Sequence, residues 1–281
     1  MPGLTLGTAG RMESSGGPDV SAETARYLAL ASAALLMSLH LLAPRVRRLP
    51  MLPQRATASL AGGVAVAYVM LHLLPELAEG HVELRELFAE TGSPSPLAEL
   101  GIFLVALAGF VIFYGLERLA ATRTGRGRTE ASPGAPPDDP APAGVFWVHL
   151  GAFAVYNAVI TYTLPSTYRT GVEFAVLFTV AMGLHFVLSD RGLAEHYGSA
   201  FDRPAPRVVL VGALLAGWLL AWLLAPTSSL TVSVLVAFLA GSVLLNVFKE
   251  ELPDPRRSSW GWFCTGLLLY AGLLTAVTAA G

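Results

Sequence analysis

The chain has 281 residues, 54% of them hydrophobic and only 14% charged, with a mean hydropathy of +0.58 and a formal net charge of −2. A water-soluble domain of this length needs a far more charged surface, and no basic run suggests a nucleic-acid partner. The one cysteine, Cys264, excludes an internal disulfide and a thiolate cluster.

Eight apolar stretches of near-spanning length predict an all-α polytopic membrane protein, with the lipid bilayer as its first partner. Residues 1–25 are rich in Gly, Ser and Thr, lack an apolar period, and are expected to be disordered. The first span is 27–43. Its basic cluster (Arg45, Arg47, Arg48) follows the apolar run, the reverse of a signal peptide. The second span, 57–77, ends in Leu-His-Leu-Leu-Pro-Glu, and an acidic loop is expected over 79–90. The third span, 97–121, completes a first unit, 26–121. Residues 122–143 are Pro/Gly-rich without periodicity and read as a flexible cytoplasmic linker. A central unit, 144–192, holds the fourth span (145–165) and the fifth (171–190). The last unit, 205–281, holds spans at 207–225, 230–252 and 260 onward.

Sidedness follows from the cations. With the N-terminus outside, fourteen of the 18 Lys and Arg residues fall at inner loops and helix ends, which places both termini outside a cytoplasmic membrane.

The second and seventh spans share a pattern. Gly63 and Pro75 are spaced as Gly241 and Pro253 are, at an offset of 178, so that His72 meets Glu250 and Glu76 meets Asp254. The second span rises where the seventh descends. An inverted repeat of helices 1–3 and 6–8 around a central helix 4–5 pair is therefore expected, a plan of secondary transporters with the site at the midplane. Two leucine-rich helices that each end at Leu-Pro-acid would give the same match by chance.

The central pair carries polar residues at membrane depth. On the fourth span His149, Phe153, Tyr156 and Ile160 share a stripe with Asn157 at its edge, and the fifth carries His185, Ser189 and Asp190. Such groups turn toward a protein interior or a wet cavity.

Eight spans, outer termini, the inner linker and the His-Leu-Leu-Pro-Glu phrase together resemble the ZIP family of divalent metal transporters. In that family the fourth helix carries His-Asn-x-x-Asp/Glu-Gly and the fifth His-Glu-x-x-His-Glu, which hold a paired metal site. Here the first motif falls on Tyr156-Asn157-Ala158-Val159-Ile160-Thr161 and the second on His185-Phe186-Val187-Leu188-Ser189-Asp190. The resemblance implies His185, Asp190, Asn157, Ser189 and Tyr156 as metal-site residues. It also implies a divalent cation of the zinc type as substrate, with no cofactor. Only His185 and Asp190 are strong donors, whereas zinc is normally held by four. They lie about 140° apart around an ideal helix and do not easily share one ion. A reduced, weakly binding site is the most these motifs support.

Plainer readings stand beside these. His185 could be a core histidine bonded to a carbonyl, Asn157 an interhelical structural bond, and Asp190 a solvated partner of Arg191. His72 and Glu76 read as a helix-end pair, His149 as interfacial. Asn246, Glu250 and Asp254 share a face that could line an inner exit. Gly212, Ala216 and Gly217 would permit close contact with another helix or a second copy of the chain. The expected function is thus a ZIP-like transporter with a reduced site, or a non-transporting protein of that fold acting as sensor or scaffold. No HExxH or nucleophile motif is present, so no enzyme is expected.

Overall fold

The computed structural model describes residues 20–46, 54–90, 96–130, 143–224, 229–251 and 258–280. These residues build α1 (Ala22–Val46), α2 (Gln54–Tyr68), α3 (Leu74–Glu90), α4 (Pro96–Glu130), α5 (Ala143–Thr170) and α6 (Val172–Tyr197). They continue with α7 (Ser199–Asp202), α8 (Pro204–Leu224), α9 (Ser229–Asn246) and α10 (Trp260–Ala280). A π-helical turn, Val69–Leu73, joins α2 to α3, and a second, Val247–Glu251, continues α9. Among the described residues eight helices are long and apolar enough to cross a membrane, which makes this a multi-pass membrane protein.

Several boundaries move from their expected places. The segment 1–25 was expected to be disordered, yet α1 begins at Ala22, where Ser21 Oγ accepts the Thr24 N–H at 3.1 Å; residues 1–19 lie outside the described residues. The acidic loop expected over 79–90 is helix. Its charges hide an apolar stripe in which Leu77 is buried and Leu84 packs on the core. Likewise α4 continues to Glu130, nine residues into the expected linker, of which 131–142 lie outside the description.

Prolines explain two irregularities. Pro75 lacks an N–H and would press on the Leu71 carbonyl in a regular helix; the preceding turn widens instead, with the Leu74 N–H bonding Val69 O. Pro165 was expected to end the fourth span, but α5 runs on to Thr170. Neighbours hold it: Thr161 Oγ1 donates to the Leu214 carbonyl of α8 at 2.7 Å, and Tyr168 Oη lies 2.6 Å from Ser32 Oγ of α1. The fifth span also outlasts its expected end, stopping at Gly198, whose φ of 52° favours glycine.

Burial sorts the spans into an inner and an outer set. The second, fourth, fifth and seventh spans are 56%, 44%, 50% and 56% buried over their most apolar windows, against 17–22% for the third, sixth and eighth. The outer helices present leucines such as Leu223, Leu268 and Leu273 outward, which a bilayer solvates at no cost.

Three helix pairs among the described residues are pressed backbone to backbone, α5 on α8 at Gly217 and two others that are related to each other. A Cβ added at Gly63 would meet the Phe263 carbonyl and, at 2.8 Å, Leu267 N; one at Gly266 would meet the Leu60 carbonyl. This packs α2 on α10. In the α4–α9 pair, a Cβ at Gly241 would meet the Ala106 carbonyl and, at 2.8 Å, Phe110 N, and one at Gly109 the Phe238 carbonyl. The two contacts correspond residue by residue. Leu60 and Gly63 map onto Phe238 and Gly241 at 178, while Ala106, Gly109 and Phe110 map onto Phe263, Gly266 and Leu267 at 157. The π turns Val69–Leu73 and Val247–Glu251 also stand 178 apart. Of the small residues of the sixth span, Gly217 is spent inside the chain against Ala158 and Thr161, whereas Gly212 faces open space.

Candidate functional site

The inner helices α5 and α6 meet α1 around a polar chain that excludes water. Asn157, on α5, is 1% exposed; Asp190, on α6, and His40, on α1, are each 2% exposed. Asn157 Nδ2 donates to His40 Nε2 at 3.0 Å. That leaves His40 its hydrogen on Nδ1, which lies 2.9 and 3.0 Å from the two Asp190 carboxylate oxygens. The imidazole is held at both nitrogens and stacks on Phe186, centroids 4.6 Å apart. Rotating the Asn157 amide would offer Oδ1 to Nε2 instead, so the frame can also hold an imidazolium or present an oxygen to a cation.

The reason for this arrangement is local. Asn157 and Asp190 each occupy the inward face of their helix, where lipid offers no partner. A carboxylate buried this deeply needs a fixed donor, and His40 supplies it from the third helix.

The remaining expected site residues form a separate group beside Phe186. His185 is 3% exposed, its Nε2 is 3.3 Å from Ser189 Oγ, and its ring lies 5.4 Å from that of Tyr156 and 6.1 Å from that of Phe186. Tyr156 Oη donates weakly to Met182 Sδ at 3.9 Å. Asn157 and Asp190 are thus brought together through His40, whereas Tyr156, His185 and Ser189 form a neighbouring cluster. The Phe186 ring contacts both imidazoles, its centroid 4.6 Å from that of His40 and 6.1 Å from that of His185.

The solvated Asp190–Arg191 pair is corrected. Arg191 pairs with Glu195 at 2.7 Å, one turn along the exposed face, while Asp190 points inward to His40. His40 itself was missed by sequence reasoning. The signal was available: an imidazole inside the apolar run Leu-Met-Ser-Leu-His-Leu-Leu needs a buried partner for the same reason Asn157 does.

At the two ends, other polar groups settle into pairs. His72 Nε2 lies 3.8 Å from Glu76 Oε2. At the opposite end His149 Nδ1 is 2.8 Å from Tyr197 Oη, whose phenol is pushed up to about 12 by burial and by Glu117 and so keeps its proton at neutral pH. Glu117 itself, nearly buried, pairs with Lys249 of the second π turn. Asn246 is buried and its Nδ2 has no partner among the described residues; the Glu250 side chain and Asp254 lie outside the described residues.

As a metal centre the arrangement is spare. Among the described residues no group of three or more His, Cys, Asp and Glu is placed to hold an ion. The strongest donor set is His40 and Asp190, with the Asn157 amide oxygen as a neutral third. Compared with protein-family models and with curated proteins, the chain matches none.

Proposed function

We propose that this chain is a ZIP-like membrane transporter that passes a divalent cation, zinc-type in its donors, through the seam between α1, α5 and α6. The observation that carries the reading is the dry His40–Asp190–Asn157 chain, because an ionisable pair inside a bilayer protein marks an ion or substrate path. One imidazole, one carboxylate and an amide bind loosely, which suits an ion that must also leave. In this reading His40 and Asp190 give up their mutual bond to the ion, and Asn157 turns its oxygen toward it.

The repeat belongs to the same proposal. The matched π turns and matched glycine contacts support a repeat of the first to third spans in the sixth to eighth; because those contacts lock α2 on α10 and α4 on α9, the moving bodies are these cross-repeat pairs, rocking against the central α5 and α6. The π turn that holds His72 and the one that holds Glu250 would then be equivalent hinges at opposite ends of the path. The inward bias of the cations supports both termini lying outside. No catalysis is part of this reading: His40 Nε2, the nitrogen that would take a proton from a nucleophile, faces an amide.

One observation favours a second reading, a non-transporting sensor or scaffold of the same fold. Phe186 fills a ligand position, and His40 already has both nitrogens engaged. Uptake of zinc, manganese and iron by cells expressing the chain separates the two. Transport predicts uptake above control cells that falls to background in His40→Ala, Asp190→Asn and Asn157→Ala. Uptake indifferent to all three would remove the seam from the mechanism. No uptake, with no metal in the purified protein, would leave the second reading.

A further inference from the structure

The seam between α1, α5 and α6 has a second polar layer. Ser32 of α1, Tyr168 of α5 and Thr179 of α6 are all buried, and they join the same three helices as His40, Asn157 and Asp190. Ser32 Oγ lies 2.6 Å from Tyr168 Oη and 3.2 Å from Thr179 Oγ1. Ser32 precedes His40 by eight residues, which sets the two layers about 12 Å apart along α1. Between them Leu36, Leu164 and Met182 are buried in one apolar cluster. Leu36 reaches α6, where a Cβ at Gly183 would lie 3.8 Å from its Cδ2.

The two layers differ in what parting them costs. Separating His40 from Asp190 strands an ionisable group, whereas neutral hydroxyls exchange a protein bond for water at little net cost. Thr179 also has a partner on its own helix, the Ala175 carbonyl, to which Oγ1 donates at 2.7 Å. The backbone beside the hydroxyl layer is weakened as well. Tyr168 stands on the last turn of α5, beyond Pro165, and Gly171 follows that turn. Pro165 has no N–H to offer the Thr161 carbonyl, so the turn is joined to the rest of α5 with one backbone bond missing. The buried residues beyond the layer, Ala25 and Ala29 on α1 and Ala175 on α6, are small.

We infer that the turn of α5 beyond Pro165 is the gate at this end of the seam, latched shut by Tyr168 through Ser32 to Thr179. With the latch made, Leu36, Leu164 and Met182 keep water from His40. With it broken, the turn swings on Pro165 and opens a way past those three side chains. The hydroxyls then bond to water or to their own helices, so no polar group is stranded. The gate rests on the reading of the seam as an ion path and adds where that path opens.

The test uses the full chain in detergent with Cys264→Ser, so that an introduced thiol is the only one. Leu36→Cys places that thiol beneath the latch, and a small maleimide reports how often it is uncovered. Met182→Cys serves in the same way if Leu36→Cys does not fold. Labelling should quicken about fivefold in Tyr168→Phe, which keeps the ring and removes only the latching hydroxyl, and likewise in Ser32→Ala, the scale of one neutral hydrogen bond. Pro165→Ala should slow it, because the restored N–H ties the turn to Thr161. Ala237→Cys, equally buried on α9, reports opening of the whole molecule and should label at one rate throughout. Labelling of Leu36→Cys indifferent to Tyr168→Phe and Ser32→Ala would overturn the gate. So would an equal rise at Ala237→Cys, which would make the hydroxyls supports of the fold alone. Labelling needs no ion, so the gate is judged apart from uptake, where the transport reading stands or falls.

Discussion

Replacing His40 with leucine should destabilise the protein by about 3–5 kcal/mol, because it strands the Asp190 carboxylate without a donor in a dry interior. Neither lipid nor water reaches that position, so the charge can only be neutralised or the helices can part. Asp190→Asn should cost less, about 1 kcal/mol, since an amide oxygen still accepts the His40 Nδ1 hydrogen. The pair His40→Leu/Asp190→Leu should recover most of the lost stability, because apolar residues of similar volume do not need each other. Denaturant unfolding of the purified protein reads all three. A double variant as unstable as the sum of the singles would mean that the two residues support the fold separately. Function should divide from stability here. The recovered double variant folds but has neither ionisable group, so its uptake should stay at background. A stable double variant that still transports would take the pair out of the ion path.

The class of fold was legible because bilayer length and hydropathy leave few alternatives, and the eight spans fall where the apolar stretches fall. The ends of the helices were not. Charge density at 79–90 masked a stripe that includes Leu77 and Leu84, and Pro165 ends a helix in water but not where Thr161 and Tyr168 tie the chain to its neighbours. The site was half legible. Asn157, His185 and Asp190 were found because polar groups at depth are conspicuous. Their partners were not, since which helix faces which is a tertiary fact that periodicity does not carry. Arg191 adjoins Asp190 in sequence yet lies 100° around the helix from it, and His40, 150 residues away, is the true partner. The correspondence between Gly63 and Gly241 was readable as a spacing. Only the structure showed that each marks a backbone contact with an equivalent helix.

Those glycines carry the second large effect. Gly63→Ala and Gly241→Ala should each destabilise by about 3 kcal/mol, at or above the upper end for overpacking. In both cases the methyl group meets backbone, the Phe263 and Ala106 carbonyls, and backbone cannot turn aside as a side chain can. Gly212→Ala and Gly272→Ala are the controls: both glycines face open space, and alanine's better helix propensity, about 1 kcal/mol, should leave them neutral or slightly stabilised. Denaturant unfolding again measures the series. The informative comparison is between the first two variants. If the α2–α10 and α4–α9 contacts are copies of one another in energy as well as in position, the two losses should agree within about 1 kcal/mol, and Gly109→Ala should match Gly266→Ala. A protein indifferent to one member of a pair and crippled by the other would show that the offsets of 178 and 157 describe spacing alone. Agreement would identify two stiff pairs, each locked by its own glycines. Any rocking must then take place between those pairs and α5 and α6, where side chains rather than backbones meet and where His40 reaches Asp190 and Asn157.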